Sequence, residues 1–287
     1  MKIIRDIDQM QELSRKLRCE HRRIGFVPTM GYFHDGHLSL MKIAREKADV
    51  VVVSIFVNPL QFGPREDIDR YPRDLEGDIH NAELSGVDII FYPTEEEMYP
   101  EHYSTFVEVK ELDRFLCGAS RPGHFKGVVT VCSKLFNIVR PHFAVFGQKD
   151  AQQAFIMKRL VKDLNFGIEI IIAPIVREAD GLAMSSRNAY LNAEQRAQAV
   201  CLFKSLRLAE ELILVKKVKD PQEVISSMRN LINQIAPQGK IDYISIVDTK
   251  MLKPVDKMVD KLSGELLIAL AVWIGKARLI DNVIVKV

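Results

Sequence analysis

Short runs of β-branched and aromatic residues alternate with helical stretches through the first two-thirds of the chain, and this alternation limits the possible folds most. Strands are predicted at Ile24–Thr29, Val50–Val57, Val87–Tyr92, Thr105–Val109, Phe143–Phe146 and Glu169–Ala173. Helices are predicted at Leu38–Lys47, Leu75–Ser85, Val128–Val139 and Ala151–Leu164. Such alternation is typical of βαβ units around a mostly parallel sheet. The sequence therefore predicts an α/β fold.

The pattern changes after about Asn188. One long helix is predicted over Ala193–Lys217, and a second begins at Asp220-Pro221 and ends near Ile235, because proline favours the first helical position. Three strands follow at Tyr243–Val247, Leu266–Val272 and Asn282–Val287. We therefore expect a Rossmann-like, doubly wound domain at residues 1–178 and a smaller α+β domain at residues 179–287, with a hinge at residues 179–181.

Composition excludes several classes of protein. The chain has 287 residues, a net charge of +2 and no long run of Lys or Arg, which argues against a nucleic-acid partner. The four cysteines are scattered and lack zinc-ligand spacing, as is usual in a reducing cytosol. The N-terminus has no apolar signal region, and no apolar stretch approaches a membrane span. These features predict a cytoplasmic protein without a membrane partner.

A His34-x-Gly36-His37 motif follows the first predicted strand and opens a helix. Open α/β sheets bind ligands at the carboxyl ends of their strands, and free N–H groups at a helix start favour an anion. The two imidazoles could donate hydrogen bonds to a phosphate. Alternatively they are two surface histidines, or part of a metal site, although no third ligand follows at an obvious spacing.

Two more motifs follow predicted strands. Lys149, in Phe146-Gly-Gln-Lys-Asp150, could reach a phosphate as a point charge. Ser185-Ser186-Arg187 comes after a strand predicted to end near Val176, and offers two hydroxyls and a guanidinium. Each motif alone could be a surface lysine or a helix cap. The three together, in this order, favour a nucleotide site.

Uncharged amides occupy positions where a substrate would lie. Asn58 and Gln61 follow a buried strand, and Gln152-Gln153 lies in the first turn of a helix. Such amides suit hydroxyl and carboxylate groups, although Asn58-Pro59 is also a common turn sequence. The segment Arg121–Gly127 is predicted to be a mobile flap, and its spacing indicates no chemistry.

The whole chain resembles the pantothenate synthetase (pantoate–β-alanine ligase) family of the H-x-G-H nucleotidyl-transfer superfamily. The resemblance lies in PTMGYFHDGHLSLM, VVVSIFVNPLQFGPREDIDRYPRD, RPGHFKGVVTVCSKLFNIVRP, FGQKDAQQ and IVREADGLAMSSRNAYL. Phe33 and Gln148 differ from the residues common in the family, and neither difference removes a reactive group. The resemblance implies that pantoate reacts with Mg-ATP to give pantoyl adenylate, which β-alanine converts to pantothenate.

The resemblance also assigns residues by position. His37 is expected to donate a proton and His34 to contact phosphate, with Lys149 and Arg187 at the phosphates. The residues expected to bind ATP are Met30, Gly31, Tyr32, Phe33, His34, Asp35, Gly36, His37, Gly147, Gln148, Lys149, Asp150, Val176, Met184, Ser185, Ser186 and Arg187. Those expected to bind the substrates are Gln61, Gln153 and Asn58. The resemblance further implies a homodimer through the first domain.

Several acidic side chains could bind Mg²⁺, and the sequence alone does not distinguish them. The hinge position of Met184–Arg187 predicts that the second domain closes as a lid when ATP binds.

A transferase that builds a dinucleotide cofactor would share the phosphate motifs but would not need the Asn58 and Gln61 amides. An RNA-binding relic of a synthetase would need interleaved basic and aromatic residues, which this sequence lacks.

Overall fold

The structure is a computed structural model that describes residues 1–63, 68, 71–257 and 264–286. Its internal contacts divide the chain into two units. The first comprises Met1–Val109, Arg121–Gln148 and Ile156–Pro174, and the second comprises Lys110–Ser120, Lys149–Phe155 and Ile175–Val287. The sequence predicts a single boundary after residue 178, whereas these contacts assign two inner segments of the chain to the second unit.

The described part of the first unit contains a six-stranded parallel sheet. Its strands are β1 (Lys2–Ile4), β2 (Ile24–Thr29), β3 (Val50–Ile55), β4 (Ile89–Phe91), β5 (Phe143–Gly147) and β6 (Glu169–Ala173). The strand order is β1-β4-β3-β2-β5-β6, and every adjacent pair is parallel. This topology confirms the predicted fold class. The order along the chain reverses between β2 and β5, and a switch point of this kind is where open α/β sheets bind ligands.

Helices lie between these strands in the sequence, and several begin at a residue whose side chain caps the first turn. They are α1 (Ile7–Cys19), α2 (Asp35–Lys47), α3 (Leu75–Leu84), α4 (Glu95–Met98), α5 (Leu116–Ser120), α6 (His124–Val139) and α7 (Ala151–Asp163). Of these, α5 and the first residues of α7 belong to the second unit. The side chains of Asp6, Asp74 and Thr94 each accept a first-turn N–H, as N-cap residues do. All six residues of β3 are buried, as expected for a strand covered on both faces.

The described part of the second unit contains an antiparallel sheet. Its strands are β7 (Lys240–Asp248), β8 (Glu265–Ile274) and β9 (Ala277–Lys286), paired in that order. The α-helices that follow α7 in the described chain are α8 (Ala193–Ala199), α9 (Cys201–Glu210) and α10 (Pro221–Ile235). Apolar residues of α9, α10 and β8 share one core, which includes Leu206, Met228 and Leu270. This arrangement confirms the smaller α+β domain. Val287, the predicted end of the last strand, lies outside the described residues.

Three local predictions are wrong. Thr105–Val109 is not a strand, because the Val107 N–H and carbonyl both bond the Thr130 hydroxyl on α6. The strand predicted to end near Val176 ends at Ala173, and Pro174, which has no N–H for a ladder, follows it. The long helix over Ala193–Lys217 is interrupted at Val200 and ends in a π-helical turn, Glu211–Val215. The first strand and helix, β1 and α1, were not predicted from the sequence.

Candidate active site

The loop after β2 carries the first motif, and its backbone turns sharply as the strand ends. Gly31 and Tyr32 both have left-handed backbone angles, with φ of +85° and +56°, and Gly31 adopts this conformation at little cost. The hydroxyl of Thr29 donates to the Ser54 carbonyl at 2.6 Å and accepts the Gly31 N–H at 3.2 Å. The chain therefore bends at Gly31, and the Thr29 side chain fixes the bend to β3.

Asp78, on α3, holds this loop from behind. Its carboxylate accepts the N–H of Tyr32 at 2.8 Å and the N–H of Phe33 at 2.6 Å. Asp78 is only 3% exposed, and this burial raises the pKa of the carboxyl while the two N–H groups oppose the rise. Sequence reasoning missed Asp78, because 45 residues separate it from Phe33. The only local signal was an acidic residue near a helix start.

The two histidines of the motif lie together at the start of α2. Their ring centroids are 4.2 Å apart, and His34 is the N-cap residue of the helix. The Gly36 N–H donates to Nδ1 of His34 at 3.1 Å, and the His34 N–H lies 3.4 Å from Nδ1 of His37. The expectation of free N–H groups at this helix start is therefore wrong for Gly36, because the His34 imidazole caps it.

These contacts also determine what the imidazoles can offer a ligand. In both rings the Nδ1 atom accepts a backbone N–H, so the proton of the neutral ring lies on Nε2. Each neutral ring then has a hydrogen-bond donor at Nε2. His34 and His37 can therefore donate to phosphate oxygens without becoming protonated first.

Asn58 and Gln61 lie together after β3, and their roles differ. Asn58 is 1% exposed, and its amide donates to Gln61 Oε1 and to the Gly127 carbonyl, each at 3.1 Å. Its oxygen accepts the Tyr99 hydroxyl at 2.8 Å. The Nε2 atom of Gln61 lies 2.9 Å from the sulfur of Met30. Asn58 thus orients Gln61. Gln61 in turn lies beside the segment Met30–His37, which we call the histidine loop.

The segment Arg121–Gly127 holds the backbone of Gln61. The Gln61 carbonyl accepts from Nδ1 of His124 at 2.8 Å and from the Arg121 guanidinium at 3.4 Å. His124 is also the first residue of α6, so half of the predicted flap is helical. Spacing gives no indication of these contacts, which join residues 60 or more positions apart. The mobility of the segment stays a prediction.

The second unit contains Lys149, Asp150 and the Met184–Arg187 segment. Lys149 lies in a short 3₁₀ turn, Gln148–Asp150, between β5 and α7. Burial lowers the pKa of the Lys149 ammonium, and the charge of Arg187 lowers it further, whereas Asp150 and Asp281 oppose this. Lys149 and Arg187 are therefore two cations of the second unit whose charges influence each other, and cations suit a polyphosphate.

A tight turn precedes Met184–Arg187. Met184 donates its N–H to the Val176 carbonyl at 3.0 Å, so these two predicted ATP residues are direct neighbours. The Arg187 N–H donates to the Ser185 hydroxyl at 3.2 Å, which caps the following 3₁₀ turn. Arg196 bonds both Glu178 and Asp180 within 3.0 Å. The turn is thus braced by charged pairs.

Gln152 and Gln153 are adjacent in α7, and only Gln153 is partly exposed. The Gln152 amide donates to the carbonyls of Leu112 and Phe115, both at 2.8 Å. Gln152 therefore supports the protein's own backbone. The predicted ligand residues are divided between the units: Met30–His37, Asn58, Gln61, Gly147 and Gln148 belong to the first, and Lys149, Asp150, Gln153, Val176 and Met184–Arg187 belong to the second.

Comparison with known proteins identifies the family. The sequence model of the family "Pantoate-beta-alanine ligase" matches residues 2–284. The chain belongs to the pantoate–β-alanine ligase family. It is 56% identical to a pantothenate synthetase of Fervidobacterium nodosum over 286 residues, which is 100% of both chains. It is 54% identical to the pantothenate synthetase of Thermotoga neapolitana over 284 residues, 99% of both.

Solved structures of family members have the same fold. A pantothenate synthetase structure from Thermus thermophilus superposes with a TM-score of 0.89, at 41% identity and 99% coverage of both chains. A pantoate–β-alanine ligase structure from Francisella tularensis, described as complexed with β-γ ATP and β-alanine, has a TM-score of 0.80 at 37% identity. It covers 99% of this chain and 97% of that one. The family is thus a ligase family that forms an amide bond.

No helix among the described residues is both long and apolar enough to cross a bilayer. Within the same part of the chain, no group of three or more His, Cys, Asp or Glu side chains is arranged to hold a metal ion.

Proposed function

We propose that this chain condenses pantoate with β-alanine, using ATP, through a pantoyl-adenylate intermediate. The observation that carries the proposal is the fixed amide of Gln61 beside Met30 of the histidine loop. An uncharged amide that is held in place, and can both donate and accept hydrogen bonds, suits the hydroxyl and carboxylate groups of a small hydroxy acid. A transferase that builds a dinucleotide cofactor would not need this amide.

The reaction needs no protein nucleophile. A pantoate carboxylate oxygen attacks the α-phosphorus of ATP, and pyrophosphate leaves. The β-alanine amine then attacks the acyl carbonyl, AMP leaves and the amine loses a proton. The protein's contribution is to position the reactants and to stabilise the negative charge on the phosphates. The Nε2–H groups of His34 and His37 and the cations of Lys149 and Arg187 have the chemistry for this.

Mg²⁺ is proposed to enter with ATP. Magnesium keeps several waters and binds substrate phosphates with one or two carboxylates, rather than an all-protein cage. Asp150 is exposed next to Lys149, whereas both oxygens of Asp78 already accept backbone N–H groups. Among the described residues, Asp150 is therefore the better candidate for a magnesium contact.

The test of function is AMP release by the purified chain with ATP and Mg²⁺. We expect AMP only when both pantoate and β-alanine are present, and pyrophosphate exchange into ATP with pantoate alone. A chelator should abolish both signals. Folded protein that releases no AMP with both substrates would contradict the proposed acceptors, while exchange that is independent of pantoate would favour another nucleotidyl transferase.

Replacing His37 tests whether Nε2 of its neutral ring donates a hydrogen bond to a phosphate oxygen. His37→Ala should lower kcat/KM for AMP formation by about 10- to 100-fold, the value of one hydrogen bond to a charged group. His37→Gln should retain more activity than His37→Ala, because the glutamine amide can place an N–H near the position of Nε2. His80→Ala, which alters a histidine of α3, is the matched control and should be neutral. Equal losses for Ala and Gln would argue against donation from Nε2.

We further propose that the second unit closes as a lid when ATP binds. The expected result is slower amide hydrogen exchange across residues 179–188 in the presence of Mg-ATP, because closure would shield this turn from water. Residues 221–235, in α10, are the internal reference and should not change. Exchange in residues 179–188 that is the same with and without ATP would contradict closure.

The remaining assignments are proposals as well. The family resemblance supports a homodimer through the first unit. A cytoplasmic location fits an enzyme that uses ATP and small hydrophilic substrates. The near-neutral charge of the chain supports an enzyme of small molecules over an RNA-binding relic of a synthetase.

A further inference from the structure

Two consecutive residues of β9 in the second unit are both polar and buried. Asp281 is 2% exposed and Asn282 is 3% exposed, and they pair in the sheet opposite Leu270 and Ala269 of β8. Neighbouring strand residues point to opposite faces, so the two side chains serve different parts of the unit. Buried polar groups are retained where they are hydrogen-bonded, and their partners here are informative.

Asp281 forms a two-pronged ion pair with Arg177. The two guanidinium nitrogens lie 2.7 and 3.0 Å from the two carboxylate oxygens. Arg177 also donates to the Gly181 carbonyl at 2.9 Å, and its guanidinium lies 4.8 Å from the centre of the Phe203 ring. Such a planar pair fixes distance and direction together. The turn that leads into Met184–Arg187 is thereby fixed to β9.

Asn282 holds Lys149 from the same strand. Its side-chain amide donates to the Lys149 carbonyl at 3.0 Å. The main chain of Lys149 therefore cannot move relative to β9 without breaking this bond. Lys149 is more than 130 residues away in the sequence, and β9 is far from every motif that the sequence analysis identified.

We propose that Asp281 and Asn282 are positioning residues for the adenylation step, which fix Lys149 and the Met184–Arg187 segment in one arrangement within the second unit. The inference rests on the proposed function in so far as Lys149 and Arg187 bind the phosphates. Side chains that are already in position lose less conformational entropy when ATP binds.

The experiment compares three variants of the full chain: Asp281→Asn, Asn282→Ala and Asp248→Asn. Asp248 is the matched control, because it caps the turn after β7 by accepting the N–H groups of Lys250 and Met251 and has no role in the site. Thermal unfolding, kcat, the KM for ATP and the KM for pantoate are measured for each. Asp248→Asn should lower stability and leave the kinetic constants of the folded fraction within about twofold, because its effect is structural.

Asn282→Ala should raise the KM for ATP by about fivefold, the value of one neutral hydrogen bond, with the KM for pantoate unchanged. Asp281→Asn should lower kcat/KM for ATP by roughly 30- to 100-fold, since a buried pair is broken. Asn282→Ala carries the test alone if Asp281→Asn does not fold.

The inference is overturned if Asn282→Ala and Asp281→Asn match Asp248→Asn in KM for ATP at equal folded fraction. Failure of the proposed function is a separate result, recognised when the unsubstituted chain releases no AMP with both substrates. In that case, calorimetric titration of Mg-ATP into the same three variants still tests the inference. A Kd for Mg-ATP that is weaker by about fivefold in Asn282→Ala, and unchanged in Asp248→Asn, supports it.

Discussion

Lys149→Ala should lower kcat/KM for AMP formation by about 10²- to 10³-fold, the loss typical of one preorganised charge-stabilising group. Lys149 lies in the turn between β5 and α7, where burial lowers its pKa and Arg187 adds to the effect. A cation that is partly removed from water interacts more strongly with phosphate than an exposed one. The measurement is AMP release at saturating pantoate and β-alanine, with ATP varied.

Lys158→Ala is the matched control for this prediction. Lys158 is an exposed residue of the helix that follows Lys149, and its replacement removes the same charge. We expect less than a twofold change, because an isolated exposed charge contributes little. Equal activities for the two variants would show that Lys149 does not contact the phosphates.

Gly127→Ala should lower both the stability of the folded protein and its affinity for pantoate. A Cβ atom at Gly127 would lie 2.2 Å from the Leu60 carbonyl oxygen and 2.5 Å from the Gln61 nitrogen. Both atoms belong to the backbone and cannot rotate away, so the 3₁₀ turn Pro59–Gln61 must shift. We expect about 1–3 kcal/mol of lost stability, as for an overpacked site, measured by urea unfolding. Since Gln61 moves with the turn, the KM for pantoate should rise by roughly 10- to 100-fold.

Gly123→Ala separates this clash from a general effect of glycine replacement. Gly123 has φ +83°, and no atom lies within 4 Å of the place that a Cβ would occupy, so its replacement strains the backbone without a collision. It should cost about 1–2 kcal/mol and leave the KM for pantoate nearly unchanged. If both variants raised the KM equally, the contact between α6 and the turn would not be what positions Gln61.

Local pattern was enough to predict much of the fold. β2 has the predicted bounds, because a run of apolar residues between turn signals is a local property of the chain. The start of α10 at Pro221 follows from the Asp220 cap for the same reason. Local pattern failed at Thr105–Val109, which has a strand-like composition and bonds the Thr130 side chain on a helix instead. Composition does not specify a pairing partner.

The sequence by itself determined the class of fold, the order of the three phosphate motifs and the residue types they offer, because each motif is contiguous and follows a strand or a tight turn. Only the tertiary structure decided which side chains hold them. Three hydrogen bonds join residues that are 45 to 133 positions apart: Asp78 with Phe33, His124 with Gln61, and Asn282 with Lys149. Such contacts leave no periodic signal in the chain, since folding alone brings the partners together.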